Sequence, residues 1–422
     1  MAQPVQVGVK QPSAYLHIQC ILLDPHGYKW TTKLTLISVG EFEEQVGPTF
    51  RVENTPMSVF SHMFPATIVE SIVKETNRYA NQEMGDEKFA KWQPIDSNEF
   101  NAYLGFNILM GLVRLPELED YWKNDPYFNY PPISDKISRT RFRHISQFMH
   151  FVDNDVLPTR GEVGYDRLGK IKPIITGIAD AMQAAYSPGK EVSVDEAMIP
   201  FQGRSSLKQF LPLKPIKRGI KVWSLADSNN GYIHWFDVYT GKGSGTEKDA
   251  GLGESVVLNL TSHLQDKNHH VYCDNFFSSP KLFDELLQRK IYACGTIRQN
   301  RKGFPEDLKG KGKKDEKRMG LIERLATYTN SNTCIHRGDM AVCQSGQLVT
   351  TSWKDNKVVT VLSSNVQPGE VDTCKRKQKN GTHMQLSCPV AVVEYVTYKR
   401  GVDRNDQLRT YYLVRLKSRK FY

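Results

Sequence analysis

Near Lys190 the hydrophobic pattern of this 422-residue chain changes period, and that change constrains the fold more than any other feature. Before it, apolar residues recur at helical spacing. IVESIVKETNRYA (68–80) places Ile68, Val69, Ile72 and Val73 in an i, i+1, i+4, i+5 stripe. Asp96 and Ser97, with Glu99 behind them, read as an N-cap and acidic first turn leading into FNAYLGFNILMGLV. SRTRFRHISQFMHFV (138–152) is basic on one side and apolar on the other, a third helix. Loops rich in Pro and Asp separate these segments, so the region from about Val52 to Tyr186 is expected to be all-α.

After Lys190 the runs shorten and become β-branched or aromatic. VSVDEAMIPF, GIKVWSLADS and YIHWFDVYTG are parted by turn signals such as SNNG and TGKG. GLGESVVLNLTSHL reads as a helix and HHVYCDNFF as a strand. Ser279 and Pro280 fill N-cap and N1 positions for the helix SPKLFDELLQRK, and IYACGTIRQ is another strand. Strands followed by alternating helix and strand predict an α/β layer with a mixed sheet. Further on, MAVCQSG, LVTTSWKD and KVVTVLSS predict a β-rich insertion, and the sequence is helical in composition after about Ala391. The expected organisation is an unassigned segment over 1–30 and a helical region over 31–186. The core begins over 187–299, a β-rich insertion follows over 300–386, and the last core helix lies in 387–422.

Composition narrows the function classes. No stretch approaches the roughly 18 consecutive apolar residues of a membrane span, and the N-terminus lacks the basic and small-residue features of a secretory signal. The seven cysteines are scattered with no C-x-x-C pair, which predicts reduced thiols inside a cell. Lys and Arg number 56 against 46 Asp and Glu, a net charge of 56 − 46 = +10 that suits a polyanionic partner.

Three aspartates fall where chemistry is built. Asp195 lies in the first β run, and Asp274 stands where a strand gives way to a helix. Asp403 and Asp406 are three apart on the terminal helix, able to share one face. Carboxylates gathered at the ends of strands and a helix can hold two Mg²⁺ ions roughly 3.5–4 Å apart, the arrangement for phosphodiester cleavage or transfer. Each also has a plainer reading: Asp274 as a helix cap, Asp403 as an N-cap beside Gly401, Asp195 as a turn residue.

The wording of the motifs adds a resemblance. VSVDEAMIPFQGRSSLKQFLPLKPIKRGIKVW, YCDNFFSSPKLFDELL, ACGTIRQNRKGFP, SWKDNKVVTVLSS and GVDRNDQL occur in this order, with TNRYA, ELEDYW, RFRHI and YDRLGKIKPI upstream. Together they resemble the piggyBac family of transposases and their domesticated derivatives, from about residue 40 onward. The resemblance implies a ribonuclease-H-like catalytic core interrupted by the β-rich insertion and preceded by an all-α dimerisation and DNA-binding region. It implies that Asp195, Asp274 and Asp403 are catalytic carboxylates binding Mg²⁺ or Mn²⁺, with Asp406 as a fourth ligand. It further implies cleavage of double-stranded DNA at transposon ends, hairpin formation by the freed 3′-hydroxyl and integration at a TTAA target. A nuclear location follows, as does a homodimer that cuts two ends, with no membrane partner. The alternative is a non-catalytic, domesticated nuclear DNA-binding protein that keeps the fold. In the family the chain continues past the last carboxylate to a cysteine-rich zinc-binding domain. Here only 16 residues follow Asp406, and the domain is expected to be absent.

Basic residues cluster around the aspartates. Lys208, Lys214, Lys217, Arg218 and Lys221 follow the first, and Arg298, Arg301 and Lys302 follow the second, as sets suited to DNA phosphates. KRKQK (375–379) fits a nuclear localisation signal. TGKGSGTEKDAGLGES lacks the G-K-[ST] ending of a phosphate-binding loop and reads as a linker. Cys334, His336, Cys343, Cys374, His383 and Cys388 match no standard zinc spacing. His263, His269 and His270 read as ordinary polar positions rather than ligands.

Overall fold

A computed structural model describes residues 22–23, 27–53, 55–89, 92–201, 203–212, 214–241, 251–309, 337–378 and 381–413. Most of the Gly-rich linker, Cys334, His336, Lys379 and the basic residues beyond Leu413 lie outside these described residues. Packing divides the chain into two compact units, one of residues 41–273 with 398–422, the other of 1–40 with 274–397.

The first unit begins with helices α1 (Pro56–Met63), α2 (Ala66–Phe89), α3 (Ser97–Leu112), α4 (Pro131–Ser134), α5 (Arg139–Phe148) and α6 (Lys172–Ala185). The stripe of α2 is buried at Ile68, Val69 and Ile72, where it meets Phe100, Tyr103, Phe142 and Ile145 in one apolar core. Asp96 caps α3 by accepting the Glu99 amide at 2.7 Å. Helix α5 stops at Phe148, short of the expected residue 152. The chain turns there because the amide of His150 donates to Thr76 Oγ1 at 3.2 Å and its ring stacks 4.0 Å from Tyr79.

A mixed sheet follows in the same unit. Its central strand, β5 (Glu191–Pro200), runs antiparallel to β7 (Arg218–Asp227) and parallel to β9 (His270–Cys273). Strands β6 (Lys208–Phe210) and β8 (Ile233–Val238) pair with the two halves of β7. A two-residue ladder, β3 (Gly47–Pro48) with β4 (Tyr186–Ser187), ties the helical part to the start of the sheet. Helix α7 (Leu252–Leu260) precedes β9.

The second unit carries a four-stranded antiparallel sheet in the order β11 (Met340–Ser345), β12 (Leu348–Lys354), β13 (Val358–Ser363), β10 (Tyr292–Thr296). Helix α8 (Pro280–Gln288) starts at Ser279, whose hydroxyl accepts the Leu282 amide at 3.1 Å, with Pro280 at the first helical position as expected. Glutamine amides clamp the segment 31–40 onto this sheet. Gln344 Oε1 accepts the Thr35 amide at 2.8 Å, and Gln367 accepts and donates at Ile37. Strands β1 (Leu22–Leu23) and β2 (Lys29–Trp30) pair just before it.

The polar stretch 373–385, inside the region expected to be a β-rich insertion, lies in the hairpin β14 (Val371–Lys377) and β15 (His383–Pro389). Gly381, between the two strands, has φ +84°, a conformation that glycine adopts at little cost. The terminal helical stretch is two helices, α9 (Val390–Tyr398) and α10 (Gly401–Tyr411).

Candidate functional site

β5 supplies the first carboxylate. Val192, Ser193 and Val194 are all buried and Asp195 after them is half-buried, so Asp195 is a mid-strand residue rather than a turn residue. The parallel register of β5 and β9 pairs Val194 with Cys273. The next residue along each chain is an aspartate, Asp195 after one and Asp274 after the other. In open sheets with parallel strands, ligands bind beyond the carboxyl ends of those strands.

Asp195 is oriented by its own chain. Its Oδ1 accepts the Glu196 amide at 2.7 Å, and its Oδ2 lies 3.7 Å from Lys214 Nζ. Asp274 does not cap α8. Its Oδ1 accepts the Phe276 amide at 2.8 Å in a tight turn, and its carbonyl accepts the amides of Phe277 and Ser278. Arg298 and Arg301, expected at phosphates, brace that turn. Arg298 Nε donates to Asn275 Oδ1 at 2.8 Å, and Arg301 donates to the carbonyls of Asn275 and Phe276.

Asp403 and Asp406 sit on α10, which packs on β5 and β7. Arg400 is the N-cap position and Gly401 the first helical residue, so Asp403 is an exposed third-position residue, not a cap. Gly401 is where the helix touches the sheet. A β-carbon added there would meet the Asp227 carbonyl oxygen at 2.8 Å and Ala226 Cβ at 3.2 Å, and would overlap Ser193 Oγ. Val402 follows into a small core with Ala197, Ala226 and Ile233. Arg409 fixes the far end, donating to Asp406 Oδ1 at 2.7 Å and to the Met198 carbonyl at 2.8 Å. Burial raises the Asp406 carboxyl above the ordinary aspartate range, against the pull of Arg409 and Lys214.

The remaining basic residues divide by where their charges point. Lys217, Arg218 and Lys302 are exposed, and the Arg218 guanidinium stacks 5.5 Å from the Phe210 ring. Lys208 donates to the Gly203 carbonyl at 3.0 Å. Lys221 turns inward, its ammonium 3.7 Å from the Trp223 ring centroid and 4.0 Å from Glu196. Sequence reasoning gave no role to Gly401, Arg409 or Asn275. The glycine directly before a helical V-D was the one local signal.

Among the described residues, no three His, Cys, Asp or Glu side chains are gathered as a ready cage for a metal ion. Cys343 and Cys388 are buried, and burial pushes both thiols up to about 12. His234, His269 and His270 are buried too, and His263 is half-buried. Burial pulls His234 and His270 down to about 3 and His263 to about 4, and lowers His269. His234, His263 and His270 therefore stay neutral well below pH 6.5 in the folded protein, and His269 shifts the same way, whereas an unfolded chain protonates them near 6.5. The unfolded state then binds more protons, so stability falls as pH drops from 6.5 toward about 4, by up to about 1.4 kcal/mol per pH unit for each fully buried histidine. Burial of Asp237, Asp284 and Asp406 opposes the trend, but toward the acid end of the range, where carboxyls titrate. The urea midpoint is expected to fall measurably between pH 7 and pH 5. An unchanged midpoint over that range would refute this account.

The family model described as Transposase IS4 matches residues 55–422. The chain is 28% identical over 382 residues to human piggyBac transposable element-derived protein 2, across 88% of this chain and 58% of that protein. It is 29% identical over 378 residues to human piggyBac transposable element-derived protein 3, across 88% and 59%. The chain therefore spans about three-fifths of the length of these curated relatives. Its fold is similar to that of the piggyBac transposase in a cryo-EM synaptic complex with hairpin DNA. The TM-score is 0.68 at 25% identity, over 90% of this chain and 73% of that one. A match across nearly the whole described chain, agreeing in sequence and in fold, places it: the chain belongs to the Transposase IS4 family, among the piggyBac transposases and the proteins derived from piggyBac elements.

Proposed function

We propose that this chain is the core of a piggyBac-type DNA transposase, with a ribonuclease-H-like sheet that presents Asp195, Asp274 and Asp403 to a divalent cation and Asp406 as a fourth ligand. The observation that carries the reading is the β5–β9 register, after which both strands continue into an aspartate. The donor set fits the metal: carboxylate oxygens are the hard ligands that Mg²⁺ or Mn²⁺ prefers. When bound, such a cation activates a water or 3′-hydroxyl and offsets charge on the scissile phosphate.

The chain's own residues do the rest. The Glu196 amide holds Asp195 in one rotamer, and the Asp274 turn is locked by Arg298 and Arg301. Arg409 fixes Asp406. Lys217, Arg218 and Lys302 have exposed charges to neutralise phosphates of a duplex without reading its sequence. The substrate on this reading is double-stranded DNA with transposon ends, cut and rejoined at TTAA by a homodimer in the nucleus. The solved relative was captured with hairpin DNA in a synaptic complex, in keeping with a hairpin step.

A second reading, a non-catalytic DNA-binding derivative, is favoured by Lys214, whose ammonium is already drawn to Asp195. One assay separates the two. The full chain is incubated with a hairpin or pre-cut duplex ending in TTAA, with Mg²⁺, Mn²⁺ or EDTA. Nicking that requires the cation is the expected result. A gel shift without nicking establishes the binder, and neither nicking nor shift overturns both.

A further inference from the structure

Lys214 is the basic residue whose surroundings differ most from those of a phosphate ligand. It lies in the turn between β6 and β7, where the Leu211 amide donates to the Lys217 carbonyl at 2.9 Å. The side chain folds back under the sheet and is only 22% exposed. Its Nζ donates to the Glu196 carbonyl at 3.0 Å, and lies 3.5 Å from Glu196 Oε1 and 3.7 Å from Asp195 Oδ2. A lysine is an ammonium at neutral pH, and this one stands at salt-bridge distance from two carboxylates, those of Asp195 and Glu196.

We propose that Lys214 is a built-in counter-ion that competes with a divalent cation for Asp195, holding metal affinity down until the ammonium is withdrawn. This inference rests on the carboxylate reading above and adds to it how cation entry is regulated. The physical reason is simple. Asp195 has two oxygens: Oδ1 is committed to the Glu196 amide, and Oδ2 faces Lys214. A cation approaching Oδ2 meets a positive charge a few ångströms away, and that repulsion is removed only if the lysine swings out or is replaced. Lys221 is engaged elsewhere, its ammonium 4.0 Å from Glu196 Oε2 and resting on the Trp223 ring.

Free Mn²⁺ in the presence of the full chain, followed by its electron paramagnetic resonance signal, tests this without any turnover. Lys214→Met is expected to bind Mn²⁺ about tenfold or more tightly than wild type, the effect of deleting one nearby positive charge. Lys214→Arg, which keeps the charge, is expected to stay near wild type. Lys214→Gln serves as the neutral variant should Met fail to fold by circular dichroism. Equal or weaker Mn²⁺ binding in the folded neutral variant overturns the inference, while binding that is lost in Asp195→Asn keeps the carboxylate reading intact. No Mn²⁺ binding in wild type and neutral variants alike overturns both.

Discussion

Gly401→Val is expected to unfold the chain at much lower urea concentration than wild type and to abolish any cation-dependent cleavage in the folded remainder. The helix α10 reaches the sheet only because residue 401 has no side chain. Even a single β-carbon would stand 2.8 Å from the Asp227 carbonyl oxygen and press into Ser193 Oγ. The Asp227 oxygen belongs to backbone already engaged with the Gly231 amide at 2.9 Å, so it has no cheap way to move. Overpacking of this kind costs about 1–3 kcal/mol for one or two carbons and more when backbone must shift. Gly401→Ala should fall within that range and Gly401→Val above it. Two residues on, Asp403 rides the same helix, so a helix pushed off β5 carries that carboxylate away from Asp195. Equilibrium urea unfolding with the cleavage assay checks both effects. A Gly401→Val protein as stable as wild type would show that the close approach is not made.

Asp195→Asn should leave stability nearly unchanged and lower cation-dependent nicking by about a thousandfold or more, because a neutral amide neither holds a hard cation nor offsets phosphate charge. The asparagine keeps the size and the oxygen that accepts the Glu196 amide. Lys214 keeps Glu196 as a partner at 3.5 Å, so no buried charge is stranded. Asp274→Asn should behave alike, its turn preserved by the oxygen that accepts the Phe276 amide. The contrast with Gly401→Val separates chemistry from architecture: one variant loses rate with its fold intact, the other loses both. Retention of more than a tenth of the wild-type rate in Asp195→Asn would remove it from the site.

Much of the candidate site was legible because its proposed carboxylates lie in local strings with their own patterns. The alternation of VSVD marked a strand, the change from HHVYC to SPKLF marked a strand end, and the three-residue spacing of Asp403 and Asp406 marked one helical face. Lys214 shows where that kind of reading stops. Its position among lysines in a Pro-rich turn suggested an outward charge for phosphate, and nothing within ten residues indicated that the turn folds back beneath Asp195. Lys221 faced inward for the same reason: on β7 its direction follows from pairing with Met198 across the ladder, not from its neighbours in sequence. Arg298 and Arg301 likewise brace a turn more than twenty residues upstream.

By itself, then, the order of residues determined element types, helix caps and the candidate carboxylates, because periodicity, capping and propensity act over a few residues. Tertiary structure alone decided which charges meet. It placed the ammonium of Lys214 on Asp195, stitched residues 31–40 to glutamines some three hundred positions away, and brought α10 against the sheet at Gly401. Those contacts depend on register and close packing between distant segments, and burial then fixes their strength, since a charge removed from water must find its partner wherever the fold supplies one.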